Sequence, residues 1–255
     1  MTYSKRWRLL LFGDAKVGKT SLAETAPGPR LILDAEGGTD WLASEAIPWN
    51  PLDGPPPADL DDDTSVVVHV NDWELLERVN TWLQKGKHPF HSVILDSLTE
   101  LQKQAKRIIT DSGMRIQDWG TLYDRMDPVL REIRDLTKSK GSPVVCVVIV
   151  ALSNVKDDKI VPDIQGSMAR SLAGQMDTLG YLRAGEMNSD GTEDRELVVD
   201  TRKGISAGDR TKILRRQFKG IIPITIDDED DTLSWNLTEL LDFMNDPDGN
   251  EADHG

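Results

Sequence analysis

At 255 residues the chain is long enough to bury a sizeable core, as one large α/β domain or two small ones. Its single cysteine, Cys146, lies inside the apolar run PVVCVVIVAL, which excludes a disulfide framework and a Cys-based zinc site and suits a reducing compartment. The formal net charge of -14, taken as an average, argues against a polyanionic partner.

In chain order, RWRLLLFG (6–13) is a short apolar run ending in glycine, the pattern of a buried parallel strand before a turn. KTSLAETA (19–26) fits a helix stopped by Pro27-Gly28-Pro29, and RLILDAEGG (30–38) reads as a second strand ending in acids and two glycines. Residues 48–64 combine five prolines with five acids and predict an exposed, acidic, proline-rich insertion. VVVHV (66–70) is strand-like. The segment 71–87 spaces Leu75, Leu76, Val79, Trp82 and Leu83 as a helix does, with its start at Asn71 or Asp72.

HSVILDS (91–97) predicts a strand with an aspartate at its carboxyl end, followed by a helix over 98–110, a polar loop over 110–120 and a long amphipathic helix over 121–141. SPVVCVVIVAL (142–152) is the most apolar strand. The polar segment 153–177 carries a short helix at 167–176, and 178–184 and 195–201 read as antiparallel strands. Strands alternating with helices predict a doubly wound, mostly parallel sheet with antiparallel strands near the C-terminus.

The acidity is segmental. Residues 220–255 hold eleven acids and no Lys or Arg, and 50–64 hold five acids and no base; the remainder carries 30 bases against 28 acids, a net of +2. A core over 1–219 with an acidic tail over 220–255 is the resulting division. The stretch 202–219 is the reverse, with seven bases and one acid. No window of about 18 apolar residues exists and the opening MTYSKRWRLLLFG lacks a signal-length apolar core, so a cytoplasmic protein without a membrane role is expected.

Residues 13–20, GDAKVGKT, match GxxxxGK[ST] at every fixed position, between an apolar strand and a helix as that motif requires. Gly13 and Gly18 permit a loop whose backbone N–H groups turn inward to cradle phosphate oxygens. Lys19 places a positive charge at the β- and γ-phosphates, and the Thr20 hydroxyl is a candidate Mg²⁺ ligand. Gly13, Asp14, Ala15, Lys16, Val17, Gly18, Lys19, Thr20 and Ser21 are therefore candidate nucleotide-binding residues, with ATP and Mg²⁺ the implied cofactors.

Asp96 ends an apolar strand where a magnesium-holding acid would stand, with helix capping, shared with Ser97, as the structural alternative. Glu36 ends the strand next after the phosphate loop and is the candidate general base; Asp34, two residues earlier, competes but suits a buried or capping role better. Asn154, just beyond the most apolar strand, is a neutral polar group placed to sense nucleotide state.

Together GDAKVGKT, LILDAEGG and VILDSLTEL resemble the RecA core of P-loop NTPases. Within that superfamily the chain is most similar to compact phage ATPases of the AAA_24 type, including single-strand annealing proteins. TELQKQAKRI, DWGTLYDRM, IVPDIQGSMARSLAGQMDTLGYLR and VVDTRKGISAGDR add to the resemblance, which spans roughly residues 6–216. It implies Glu36 as catalytic base, Asp96 as magnesium acid, and Asn154 where relatives carry a γ-phosphate-sensing glutamine or histidine, from which this chain departs.

It further implies DNA-binding loops at 110–120 and 153–170. There Lys156, Lys159 and Arg170 are the expected phosphate contacts, and Met114 and Trp119 the expected stacking groups, with core packing as the alternative for Trp119. Arg202, Lys203, Arg210 or Lys212 would reach a neighbouring subunit's γ-phosphate in trans, or else form a solvated basic face.

The expected function is a Mg²⁺-dependent ATPase that binds single-stranded DNA, assembles as a homo-oligomeric ring or filament, and promotes annealing or strand exchange in recombination. A single-strand-binding protein is a further expected partner, and the host cytoplasm the location if a phage encodes it. The alternative is an ATP-dependent switch or assembly module acting on a protein partner without DNA. A small-molecule kinase is a third reading, without evident lid arginines or an acceptor site.

Overall fold

Leu9, Leu10, Leu11 and Phe12 are all fully buried on one strand, β1 (Trp7–Gly13). Successive side chains of a strand face opposite ways, so this strand must be covered on both sides. The computed structural model, which describes residues 3–42, 46–110, 113–187, 193–202, 204–224 and 235–247, places it inside such a sheet. The other strands are β2 (Arg30–Asp34), β3 (Ala46–Pro48), β4 (Ser65–His69), β5 (Ser92–Asp96), β6 (Cys146–Lys156), β7 (Lys159–Pro162), β8 (Thr178–Met187), β9 (Glu193–Val198), β10 (Gly208–Asp209) and β11 (Ile221–Ile224).

The sheet order is β11-β9-β8-β1-β6-β5-β2-β4-β3. Strands from β8 to β3 run parallel, whereas β9 and β11 are antiparallel additions at one edge. The doubly wound, mostly parallel α/β fold with antiparallel C-terminal strands is the fold read from the sequence.

Helices cover both faces. One core packs α2 (Trp73–Gln84), α3 (Leu98–Ile109), α4 (Ile116–Asp135) and α5 (Met168–Gln175) onto Leu10, Phe12, Leu31 and Val93. The other packs α1 (Lys19–Glu24), α6 (Ile213–Gln217) and α7 (Leu237–Asn245) onto Leu9, Leu11, Ile32 and Ile94. Asp72 caps α2 by accepting the Leu75 N–H at 2.8 Å, resolving the start that the sequence left between two residues.

Three expectations change. The loop expected over 110–120 is shorter, because α4 begins at Ile116 and holds Trp119 in its first turn. Arg115 is not a capping residue type, but Asp118 reaches back to accept the Arg115 N–H at 2.8 Å. The polar segment from Ser153 opens as a hairpin of β6 and β7 rather than a loop: Lys156 pairs with Lys159 across Asp157 and Asp158, whose φ values of 52° and 56° suit a two-residue turn of mirror-image type.

The third concerns the tail expected from residue 220. Ile221–Ile224 is a sheet strand paired to β9, and Leu237, Leu240, Leu241, Phe243 and Met244 of α7 are buried in the core. Asn236 and Glu239 form a capping box at the start of α7. Residues 225–234 and 248–255 lie outside the described residues. Within the insertion expected over 48–64, Trp49 is buried with its ring centroid 6.4 Å from that of Phe90, while acids Asp53, Asp59, Asp61, Asp62 and Asp63 are exposed.

Candidate active site

In a parallel sheet every strand delivers its carboxyl end to one edge, and here that edge gathers the predicted chemistry. Register places Gly13 beside Leu152 of β6 and Leu182 of β8, and Asp34 of β2 beside Asp96 of β5 and His69 of β4. A side chain at position 13 would collide with the Leu182 carbonyl oxygen, so glycine is required where β1 turns into its loop.

Lys16 and Gly18 have φ of 65° and 93°, in the left-handed region. Such residues interrupting right-handed backbone turn successive N–H groups to one side and make an anion-binding nest. The N–H groups of Ala15 to Lys19 have no hydrogen-bonded acceptor among the described residues. Lys19 is buried, and its Nζ donates to the Asp14 carbonyl at 2.6 Å. Burial pushes its pKa below the ordinary lysine value, opposed by Asp96, Glu36 and Asp14.

Two further elements hold the loop from outside. Arg195 of β9 donates through Nε to the Val17 carbonyl at 3.2 Å, and the Ser153 hydroxyl donates to Asp14 Oδ1. Ser21 is half-buried one residue into α1 from Thr20. The Thr20 hydroxyl donates to Asp96 Oδ2 at 2.5 Å. Burial raises the Asp96 pKa to about 6; Glu36 and Asp34 add to the rise, and the Thr20 bond and Lys19 oppose it.

Glu36 is exposed at the rim, in a loop shaped by Asp34. Asp34 Oδ1 accepts the N–H groups of Glu36 (3.0 Å) and Gly37 (2.8 Å), and Oδ2 accepts the Thr39 N–H (3.3 Å) and hydroxyl (2.6 Å). Both oxygens of this buried acid are thus committed to the turn, the role the sequence favoured for it. The Glu36 carboxylate instead accepts the Ser97 hydroxyl through Oε1.

The residues fit a nucleotide with its cation. The unpaired N–H groups and buried Lys19 offer donors to phosphate oxygens, and Thr20 with Asp96 offers two oxygen ligands. Among the described residues no group of three or more His, Cys, Asp or Glu forms a metal cage. Mg²⁺ is held by one or two carboxylates and completed by phosphates and water, and the Thr20 and Asp96 oxygens are donors of that kind.

The remaining predicted residues that are described make no hydrogen bond to this edge cluster. Asn154 is exposed and donates to Asp163 Oδ1 at 3.2 Å inside its own hairpin, so Ser153 and not Asn154 touches the phosphate loop. Lys156 and Lys159 are exposed on the β6–β7 hairpin, and Arg170 is exposed on α5. Trp119 is half-buried, with Lys106 Nζ 5.0 Å from its ring centroid, packed partly against the core. Met114 is half-buried beside the same core.

Arg202 and Arg210 are exposed, and their guanidinium groups donate to the Lys219 (2.7 Å) and Gly174 (2.5 Å) carbonyls. Lys212 is exposed and Lys203 lies outside the described residues. Sequence reasoning missed Arg195 and Ser153, and gave Ser97 only a capping role. Adjacency to Asp96 was an available signal for Ser97, whereas Arg195 reaches the loop only through the β8–β9 pairing.

A family model described as an AAA domain matches residues 5–211, from ahead of β1 to just short of α6. A comparison with curated proteins returns no match. Among the described residues no helix is long and apolar enough to cross a membrane. The matched span contains the phosphate loop, Glu36 and Asp96, and the chain belongs to the AAA domain family as a nucleotide-dependent P-loop ATPase.

Proposed function

We propose that this ATPase hydrolyses ATP with Mg²⁺, binds single-stranded DNA as a homo-oligomer, and promotes annealing or strand exchange in homologous recombination of the kind that phages encode. The observation that carries the hydrolytic part is the convergence of Lys19, Thr20, Asp96 and Glu36 on one sheet edge, with the Thr20–Asp96 bond joining the phosphate loop to β5. Mg²⁺, when bound, neutralises charge on the β- and γ-phosphates. Lys19 and the loop N–H groups bind phosphate oxygens, and Thr20 and Asp96 hold the cation's shell. Glu36 takes the proton of the attacking water.

The DNA part is supported by the resemblance and by exposed Lys156 and Lys159 on the β6–β7 hairpin and Arg170 on α5. Phosphate contacts of that kind bind without sequence preference and weaken with salt. The switch reading, an ATPase acting on a protein partner, draws support from Asn154, whose amide is engaged by Asp163.

Steady-state ATPase assays with and without single-stranded DNA separate the two. Stimulation by DNA, with a DNA-bound oligomer, is expected; a rate indifferent to DNA with no such complex favours the switch. Lys19→Ala is expected to remove nucleotide binding. Glu36→Gln should retain binding and lose about 10²–10⁴-fold in turnover, the range for a general base.

A further inference from the structure

Ser97 is fully buried, and its hydroxyl stands between two partners. It accepts the Glu100 N–H at 3.4 Å, capping α3, and it donates to Glu36 Oε1. These partners belong to different parts of the chain, since Glu36 follows β2 and Ser97 follows β5, strands aligned so that Asp34 pairs with Asp96. The Ala35 N–H donates to the Asp96 carbonyl at 2.6 Å, which carries this alignment to the foot of the Glu36 loop.

A helix cap needs only an acceptor, so the donor half of the hydroxyl is not required for α3. It is spent on Glu36. Asp34 fixes the backbone of the loop through the N–H groups of Glu36, Gly37 and Thr39, but among the described residues it makes no hydrogen bond to the Glu36 side chain. A glutamate side chain free in solvent gives up rotamer freedom when it is held in one place. Ser97 is the group that holds it, and Glu36 Oε2 makes no hydrogen bond among the described residues.

We propose that Ser97 is a positioning residue for hydrolysis: its hydroxyl fixes the Glu36 carboxylate through Oε1 and presents Oε2 to the attacking water. This rests on Glu36 being the general base. A misplaced catalytic group loses rate without losing substrate, so the effect belongs in kcat and not in nucleotide affinity.

The test measures kcat, KM and nucleotide affinity for Ser97→Ala, Ser97→Thr and Glu36→Gln, and for Ser97→Ala combined with Glu36→Gln. Ser97→Ala is expected to lower kcat about tenfold with nucleotide affinity within about twofold of the parent, and Ser97→Thr, which keeps donor and acceptor, to restore most of the rate. In the Glu36→Gln background Ser97→Ala should cost nothing further, since it acts through that carboxylate. Should Ser97→Ala fail to fold, the near-isosteric Ser97→Cys, a weak donor, carries the same expectation of a lower kcat.

Normal turnover by Glu36→Gln overturns the general-base assignment and this proposal with it. An inactive Glu36→Gln beside an unimpaired Ser97→Ala overturns this proposal alone. So does a tenfold loss from Ser97→Ala that persists undiminished in the Glu36→Gln background.

Discussion

Thr20 Oγ1 and Asp96 Oδ2 meet at 2.5 Å although β1, which leads into the helix of Thr20, and β5, which ends in Asp96, are not neighbours. β6 stands between β1 and β5, so the bond bridges a strand's width from the first turn of α1. It brings a hydroxyl from the phosphate loop and a carboxylate from the sheet into one site on the cation side. Apart from cation and nucleotide, the same arrangement leaves a buried acid beside two other acids and the buried Lys19 ammonium.

That buried acid costs stability. The Asp96 pKa is raised from its ordinary value of 3.8 to about 6, so the folded chain holds the proton more tightly than the unfolded chain. Folding stability therefore falls as pH rises from about 3.8 to 6 and stays lower above it. Asp96→Asn does not titrate, so in nucleotide-free protein with EDTA it should melt higher than the parent at pH 7.5, by at most about 3 kcal/mol, and lose that advantage near pH 4. Thermal melts across pH check this; equal melting temperatures at pH 7.5 would refute it. The same variant should lose Mg²⁺-dependent hydrolysis, an exchange of stability for function typical of active sites.

Arg195 predicts a different signature. It holds the Val17 carbonyl from β9, and β8 between them places Leu182 against Gly13. Because it touches the loop backbone outside the acid cluster, its loss should loosen phosphate binding without removing a reacting group. Arg195→Ala should weaken ATP binding about tenfold, consistent with one charge-assisted hydrogen bond, with kcat at saturation changed less than about twofold. Arg195→Lys should recover part of the affinity. Titration with a fluorescent nucleotide checks it, and unchanged affinity in Arg195→Ala shows that the loop stands without the brace.

Truncation after Ile224 is expected to abolish folding. It removes five α7 side chains that are 0–3 % exposed: Leu237, Leu240, Leu241, Phe243 and Met244. At about 1.5–3 kcal/mol each, their loss rivals the whole stability of a domain, about 5–15 kcal/mol. Circular dichroism and solubility decide it; a soluble product with a cooperative melt near the parent's would show α7 to be dispensable. The acidic run Asp227, Asp228, Glu229, Asp230 and Asp231 is better tested by neutralisation to Asn and Gln. If those charges compete with DNA, single-stranded DNA binding strengthens at moderate salt.

Much of the fold was legible because its signals are local. GDAKVGKT names a loop whose left-handed residues and unpaired N–H groups appear as the motif requires, and SVILD ends in Asp96 at the same edge. Local signals also misled. The acidic count over 220–255 hid α7, whose five buried apolar side chains share one face of a short helix. Arg115 hid the start of α4, because the cap there comes from Asp118 reaching back.

The placing of Glu36, Asp96 and Lys19 at one edge followed from strand, loop and helix in chain order, since parallel strands all deliver their ends to the same side. Which side chains touch there did not. Ser97 on Glu36, Ser153 on Asp14 and Arg195 on Val17 depend on β6 lying between β1 and β5, on the Asp34–Asp96 register, and on the antiparallel β8–β9 pair. Those contacts join residues 61, 139 and 178 positions apart. Backbone chemistry within a few residues sets a phosphate loop, but strand order and register are set by the burial of whole faces, and they alone choose which distant hydroxyl or guanidinium completes the site.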